Sequence, residues 1–326
     1  MPRPERVVLA LTLVLSCLVS LPPAAPAVSA EEATDRVETR QVIIMSEGTR
    51  ATADVYSLAS LAGKKLPTVI MSHGWGGTAA LLKPQATDFA RAGYLVVVLD
   101  YRGWGNSDSR VVLSGIPPLA RTGTRFKADV LEIREVVDPL DQVTDLFNAI
   151  HWVMGEPMAD PGRVGLWGTS YSGGHVVHVA AHDPRIRAVV SQVGYMDSRS
   201  AITRDPELLA RAYSEATRRA RGELGYPEPR VREVGDLQGG PIREKLLRYS
   251  PLDDVPRVRD CALLIIVAEK EELFDNREHG ERAYQLASEP KKYVVVPGIT
   301  HYGIYREARA EATKLAIDWF DRYLKR

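Results

Sequence analysis

The stretch Gly168-Thr169-Ser170-Tyr171-Ser172-Gly173-Gly174 sets one serine among small residues. The short apolar run Arg163-Val164-Gly165-Leu166-Trp167 leads into it, and a helix-like apolar run from His175 to Ala181 leads out. A strand, a sharp turn carrying serine and a helix describe a nucleophile elbow. Such a turn lifts the Ser170 hydroxyl off the end of a sheet. Beneath it lie the unpaired N–H groups and the positive dipole of the helix start, which favour the anion formed during acyl transfer. The usual Gly-x-Ser-x-Gly pattern changes at its fifth position, Ser172, a residue still small enough for close helix–strand packing.

A serine nucleophile needs a base, and the base needs an orienting acid. His301, in Val296-Pro297-Gly298-Ile299-Thr300-His301-Tyr302-Gly303, is the candidate base. It stands between the last strand-like run and the final helix, on a loop that overhangs the same sheet edge as the elbow. The acid is sought after the run Ala262–Val267, in Ala268-Glu269-Lys270-Glu271-Glu272 and at Asp275. Glu271 is the first choice, because the chain should turn off the strand three residues past Ala268. Glu272, Glu269 and Asp275 follow in that order. The acid would hold the imidazole in one tautomer and stabilise the imidazolium.

An oxyanion hole needs two aimed N–H donors. Tyr171, directly after the serine, offers one. Trp75 offers the other, from the loop His73-Gly74-Trp75-Gly76-Gly77-Thr78, whose glycines let the backbone approach a substrate. Its indole could also wall the acyl site. His73 reads as a hydrogen-bonding residue that holds this loop.

These side chains must be carried by regular elements. Alternation from Val37 to Ile43 predicts an antiparallel edge strand, with Thr52–Tyr56 as its hairpin partner and Glu47-Gly48 as the turn. Further strands are predicted at Pro67–Ser72, Tyr94–Asp100, Arg163–Trp167, Ile186–Gln192, Ala262–Val267 and Tyr293–Val296. Runs such as Leu95-Val96-Val97-Val98-Leu99 imply burial on both faces, as in a parallel sheet. Helices are predicted at Lys83–Ala92, Pro139–Met154, Tyr171–His182, Asn276–Ala287 and Arg306–Tyr323. From about Met196 to Asp260 the alternation lapses, with helical patches at Glu207–Arg221 and Pro241–Tyr249. An insertion there would lie over the C-terminal sheet edge, where such sheets bind ligands, and it reads as a small helical cap.

With these residues in view, the chain resembles the α/β-hydrolases over essentially all of residues 37–326. Asp100-Tyr101-Arg102-Gly103-Trp104-Gly105-Asn106-Ser107 resembles the Asp-x-Arg-Gly-x-Gly-x-Ser turn of that superfamily. Asp160-Pro161-Gly162-Arg163-Val164-Gly165-Leu166-Trp167-Gly168 is similar to the lead-in of the dienelactone-hydrolase and Xaa-Pro dipeptidyl-peptidase-like branch. The order serine, acid, histidine is also that of the superfamily. The resemblance implies an α/β-hydrolase fold, a mostly parallel central sheet with helices on both faces and a small cap. It implies a serine hydrolase acting on esters, amides or peptides. Ser172 stands where glycine is commoner, and Glu where Asp is commoner as the acid.

Bulk properties narrow the field. The chain has 326 residues, with 42 Lys plus Arg against 42 Asp plus Glu, so no basic excess points to nucleic acid. Residues 1–30 read as an export signal: Arg3 and Arg6, the apolar stretch Val7–Leu21, then Val28-Ser29-Ala30 with cleavage after Ala30. The stretch is too short to span a bilayer comfortably. Val14-Leu15-Ser16-Cys17 offers a rival lipid attachment at Cys17. Residues 31–326 then make one domain, with the cap at about 196–260. Cys261 alone of the two cysteines survives, which excludes a disulfide framework within one mature chain.

No cofactor is expected. The glycines at 103 and 105 do not open a Gly-x-Gly-x-x-Gly helix, and no Gly-Lys-Ser/Thr occurs. His175, His178 and His182 recur at helix spacing, but the local sequence supplies no further ligand, so they read as packed or capping residues and no metal is expected. The expected activity is cleavage of a small carboxylic ester through an acyl-enzyme on Ser170. The alternatives are a peptidase releasing short peptides, or a silent binding protein on the same fold.

Overall fold

The computed structural model describes residues 36–115 and 123–325. The expected leader and Cys17 lie outside the described residues. Eight strands form one sheet: β1 (Val37–Ser46), β2 (Thr49–Leu58), β3 (Leu66–Ser72), β4 (Leu95–Leu99), β5 (Ala159–Thr169), β6 (Ile186–Gln192), β7 (Ala262–Lys270) and β8 (Lys291–Thr300). Their order is β1-β2-β4-β3-β5-β6-β7-β8. β2 runs antiparallel to β1 and β4, and every other neighbouring pair is parallel. Glu47 and Gly48, both at positive φ, close the first hairpin as a two-residue turn demands.

Burial on both faces explains the continuous apolar strands. Leu95, Val97 and Leu99 of β4 join one core, while Val96 and Val98 join the other. Helices α2 (Pro139–Gly155) and α3 (Tyr171–His182) cover the first face through residues such as Leu146, Ile150, Val176 and Val179. Helices α1 (Lys83–Arg91) and α9 (Arg309–Leu324) cover the second through Phe89, Trp319 and Phe320. The start of α2 is written locally: Pro139 sits in its first turn, and the Asp138 side chain accepts from Leu140 N–H and Asp141 N–H.

Between β6 and β7 lie α4 (Ser198–Thr203), α5 (Pro206–Ala220), α6 (Arg243–Leu246) and α7 (Pro251–Asp254). Asp197 and Asp205 cap the first two. A small ribbon pairs Arg232–Val234 with Leu237–Gln238, where only helical patches were read. Gly240–Pro241 pairs with Val136–Val137, which ties this segment to the connection before α2.

Other differences have physical causes. Arg110–Leu113 pairs with Val130–Ile133 in a hairpin that the sequence reading missed; its four-residue strands are largely exposed and lack a buried apolar face. The helix read from Asn276 begins only at α8 (Gly280–Leu286). Asp275 instead accepts from Arg277 N–H, and Asn276 donates to Ala268 O, so the chain turns before it coils. Strand β5 extends to Ala159 and Thr169, beyond the apolar run that marked it. Among the described residues no helix is long and apolar enough to cross a membrane.

Candidate active site

Ser170 follows β5 and precedes α3 at φ 56° and ψ −124°, a conformation that non-glycine residues rarely adopt. Its neighbours hold it there. Ser170 N–H donates to Gln192 O (2.9 Å), and Ser170 O accepts from Gly173 N–H (2.9 Å) and Tyr195 N–H (3.1 Å). Glycine is required around the turn. A Cβ on Gly74 would lie 2.6 Å from Ser170 Cβ, and one on Gly174 would lie 2.3 Å from Tyr195 O. The unusual Ser172 is fully buried, and its hydroxyl is engaged by Ser72 Oγ and by Tyr101 OH (3.0 Å). The close approach that a fifth-position glycine would serve falls instead on Gly173 and Gly174.

His301 comes to Ser170 from the end of β8, with Nε2 3.1 Å from Ser170 Oγ. Its Nδ1 lies 3.0 and 2.9 Å from the two oxygens of Glu271. An ionised carboxylate only accepts, so Nδ1 carries the proton and Nε2 presents its lone pair to the Ser170 hydroxyl. The other acids divide the work of holding this loop. Glu272 accepts from His301 N–H (2.5 Å), and Glu269 accepts from Gly298 N–H (2.6 Å). For Glu272, burial pushes the pKa up, but the hydrogen bonds from His301 N–H and its neighbours outweigh it and the net shift is downward. Asp275 is not brought to His301; it pairs with Arg277, which draws it down to about 2.

Tyr171 opens α3, so its N–H has no acceptor within the helix. Trp75 follows Gly74 in the turn closed by Gly77 N–H to Gly74 O (3.2 Å). Trp75 and Tyr171 rings meet edge to face at 5.1 Å. The Trp75 indole donates to Gly239 O (3.1 Å), across to the segment between β6 and β7. His73 Nδ1 lies 3.1 Å from Gly74 O, and burial lowers its pKa. Asp100 accepts from Ala79 N–H (2.7 Å) and Asn106 N–H (3.2 Å), while Arg102 forms a buried ion pair with Asp145. Both motif residues thus brace loops around the site.

Ser170 opens onto a cavity of about 400 Å³. Trp75, Tyr171, Tyr195 and Phe274 wall it from the sheet edge, and Ile202 and Leu246 face them from α4 and α6. Among the described lining residues Arg243 alone carries charge, and it pairs with Glu215 (3.0 Å). Sequence reasoning missed three contributors. Phe274 sets its ring edge against His301 at 5.7 Å. Tyr305 OH lies 2.8 Å from Thr169 Oγ1, directly before Ser170. Tyr249 OH bonds His175 Nδ1 (2.6 Å) behind α3. Each is far in sequence from its partner, and no local pattern marks it.

Residues 47–215 match the family described as X-Pro dipeptidyl-peptidase (S15 family), and residues 139–326 match the prolyl oligopeptidase family. A 31.7 kDa protein of the traX-finO intergenic region of Escherichia coli is 27% identical over 288 residues, covering 80% of this chain and 92% of that one. A thiohydrolase of Aspergillus aculeatus is 27% identical over 275 residues, covering 73% of this chain and 79% of its own. The crystal structure of an α/β hydrolase from Penicillium sp. sh18 superposes with a TM-score of 0.70 at 20% identity, covering 89% of this chain and 100% of that chain.

Proposed function

The chain belongs to the α/β-hydrolase superfamily, in the group of the S15 and prolyl oligopeptidase families, and on that footing we propose that it cleaves a carboxylic ester through an acyl-enzyme on Ser170. One observation carries the reading: the unbroken hydrogen-bond chain Ser170–His301–Glu271 at the wall of an apolar cavity. Ser170 Oγ attacks the ester carbonyl as His301 Nε2 takes its proton. Glu271 holds the resulting imidazolium. Tyr171 and Trp75 N–H groups receive the oxyanion. Collapse of the tetrahedral intermediate expels the alcohol, protonated by His301. A water then gives its proton to His301 and attacks the acyl carbon, and the second tetrahedral intermediate collapses to the acid as His301 returns the proton to Ser170 Oγ.

Two considerations favour an ester over a peptide. Recognition of a substrate ammonium needs an unpaired carboxylate, and the described lining residues offer none. Two relatives are a thiohydrolase and an acyltransferase, and the second name states acyl chemistry. The family descriptions favour the peptidase reading. A fluorophosphonate probe tests the nucleophile: the expected result is one adduct, on Ser170, in protein that hydrolyses p-nitrophenyl esters faster than aminoacyl-prolyl amides. Folded protein with no adduct would instead favour a silent binding protein. We also infer export, with removal of residues 1–30; the intact mass of the exported form distinguishes a start at Glu31 from lipid on Cys17.

A further inference from the structure

We propose that His178, His182 and Asp254 form a binding site for one divalent transition-metal ion, with Zn²⁺ as the type. His178 and His182 stand one turn apart on α3, so their side chains share a face. No third ligand is available nearby in sequence. The fold supplies one, since α7 brings Asp254 against both rings. One ligand atom from each of the three lies within 4.8 Å of the others. Two imidazoles and a carboxylate suit zinc, with a fourth position left to solvent.

The hydrogen bonds point the same way. His182 Nδ1 donates to His178 O (2.8 Å), so in the neutral ring Nε2 keeps the lone pair. A ring N–H held by a carbonyl is the support that ligating histidines generally have. That Nε2 faces Asp254 Oδ1, another acceptor, across 3.7 Å. Two acceptors at that separation can share a cation. His178 Nδ1–H donates to Asp254 Oδ2 at 2.7 Å, a proton that a bound metal ion would displace, and Phe147 and Tyr249 rings fence His178 into that orientation. The C-terminal end of α3, where His182 sits, also favours positive charge. Arg257 now partners Asp254 Oδ1 (3.0 Å), but its side chain is 65% exposed and can turn to solvent. His182 lies at the opposite end of α3 from Ser170, about 18 Å along the axis. The ion would pin α3 to α7 and takes no part in the acyl chemistry.

The test uses tag-free protein stripped with chelator and titrated calorimetrically with ZnCl₂, with Co²⁺ absorption reporting the coordination geometry. We expect one ion per chain and tetrahedral Co²⁺ bands. At hundredfold excess over Kd, Tm should rise by about 5 °C. His182→Asn, at an exposed position, and Asp254→Asn should each weaken binding more than about 100-fold, beyond the effect of losing an outer-shell partner. No uptake by the wild type, or unchanged uptake by both folded variants, overturns the proposal.

Discussion

Glu271 presents both carboxylate oxygens to His301 Nδ1, at 3.0 and 2.9 Å, and both side chains are almost fully withdrawn from solvent. An acid so placed fixes the tautomer and offsets the charge that forms on the ring. Glu271→Gln would turn an amide toward Nδ1 and lose that charge. We expect kcat on a p-nitrophenyl ester to fall by about 10²–10⁴ with KM nearly unchanged. Glu272→Gln removes charge only from the backbone bond at His301 N–H, and a fall of about tenfold is expected. Steady-state kinetics on the two variants decides; equal losses would mean that Glu271 acts only through loop position.

Ser172 offers a stability test. Its hydroxyl joins Ser72 and Tyr101 in a buried set. Ser172→Ala leaves both partners short of a hydrogen bond. The expected cost is about 1–3 kcal/mol in urea unfolding, with the Ser170 adduct rate kept within a fewfold of wild type.

His279 sets an acid limit. It is buried, stacked on Tyr195, and its Nδ1 accepts Met196 N–H (2.9 Å). Burial pushes its pKa down to about 4. The unfolded chain therefore takes up this proton first. The stability that His279 contributes is complete above about 6.5, the ordinary histidine value, and is lost as pH falls from there towards 4. The loss should be on the order of 2–3 kcal/mol. His73 and His175, also buried and lowered, add to the same slope. Tm measured between pH 7 and 4 should fall, and His279→Asn should flatten the curve in part.

The cavity predicts selectivity by size. Ala201 lines it from an exposed position on α4. Ala201→Trp should shorten the preferred acyl chain. In a p-nitrophenyl ester series, kcat/KM for the longest good substrate should fall about tenfold or more, while acetate changes little. A uniform change across the series would place substrate elsewhere.

The sheet was legible because its strands are short, apolar and spaced by helical runs, and burial on both faces leaves a strong local signature. Ser170 and His301 stood out because each follows directly on a strand. The glutamates could be ordered only by their distance past Ala268. Their partition among Nδ1, His301 N–H and Gly298 N–H depends on how β7 and β8 lie side by side. Between β6 and β7 the apolar spacing marked the stretches that hold α5 and α6, but not α4, α7 or the ribbon, whose pairing is two residues long at one strand. The meeting of Asp254 with His178 and His182 could not be read at all, since only the packing of α7 on α3 creates it.

The indole of Trp75 grips Gly239, and the same residue lines the cavity onto which Ser170 opens. A door hung on that segment could not swing without tugging the frame around the carbonyl. Lengthening the chain beside Gly239 should therefore register in turnover as well as in affinity.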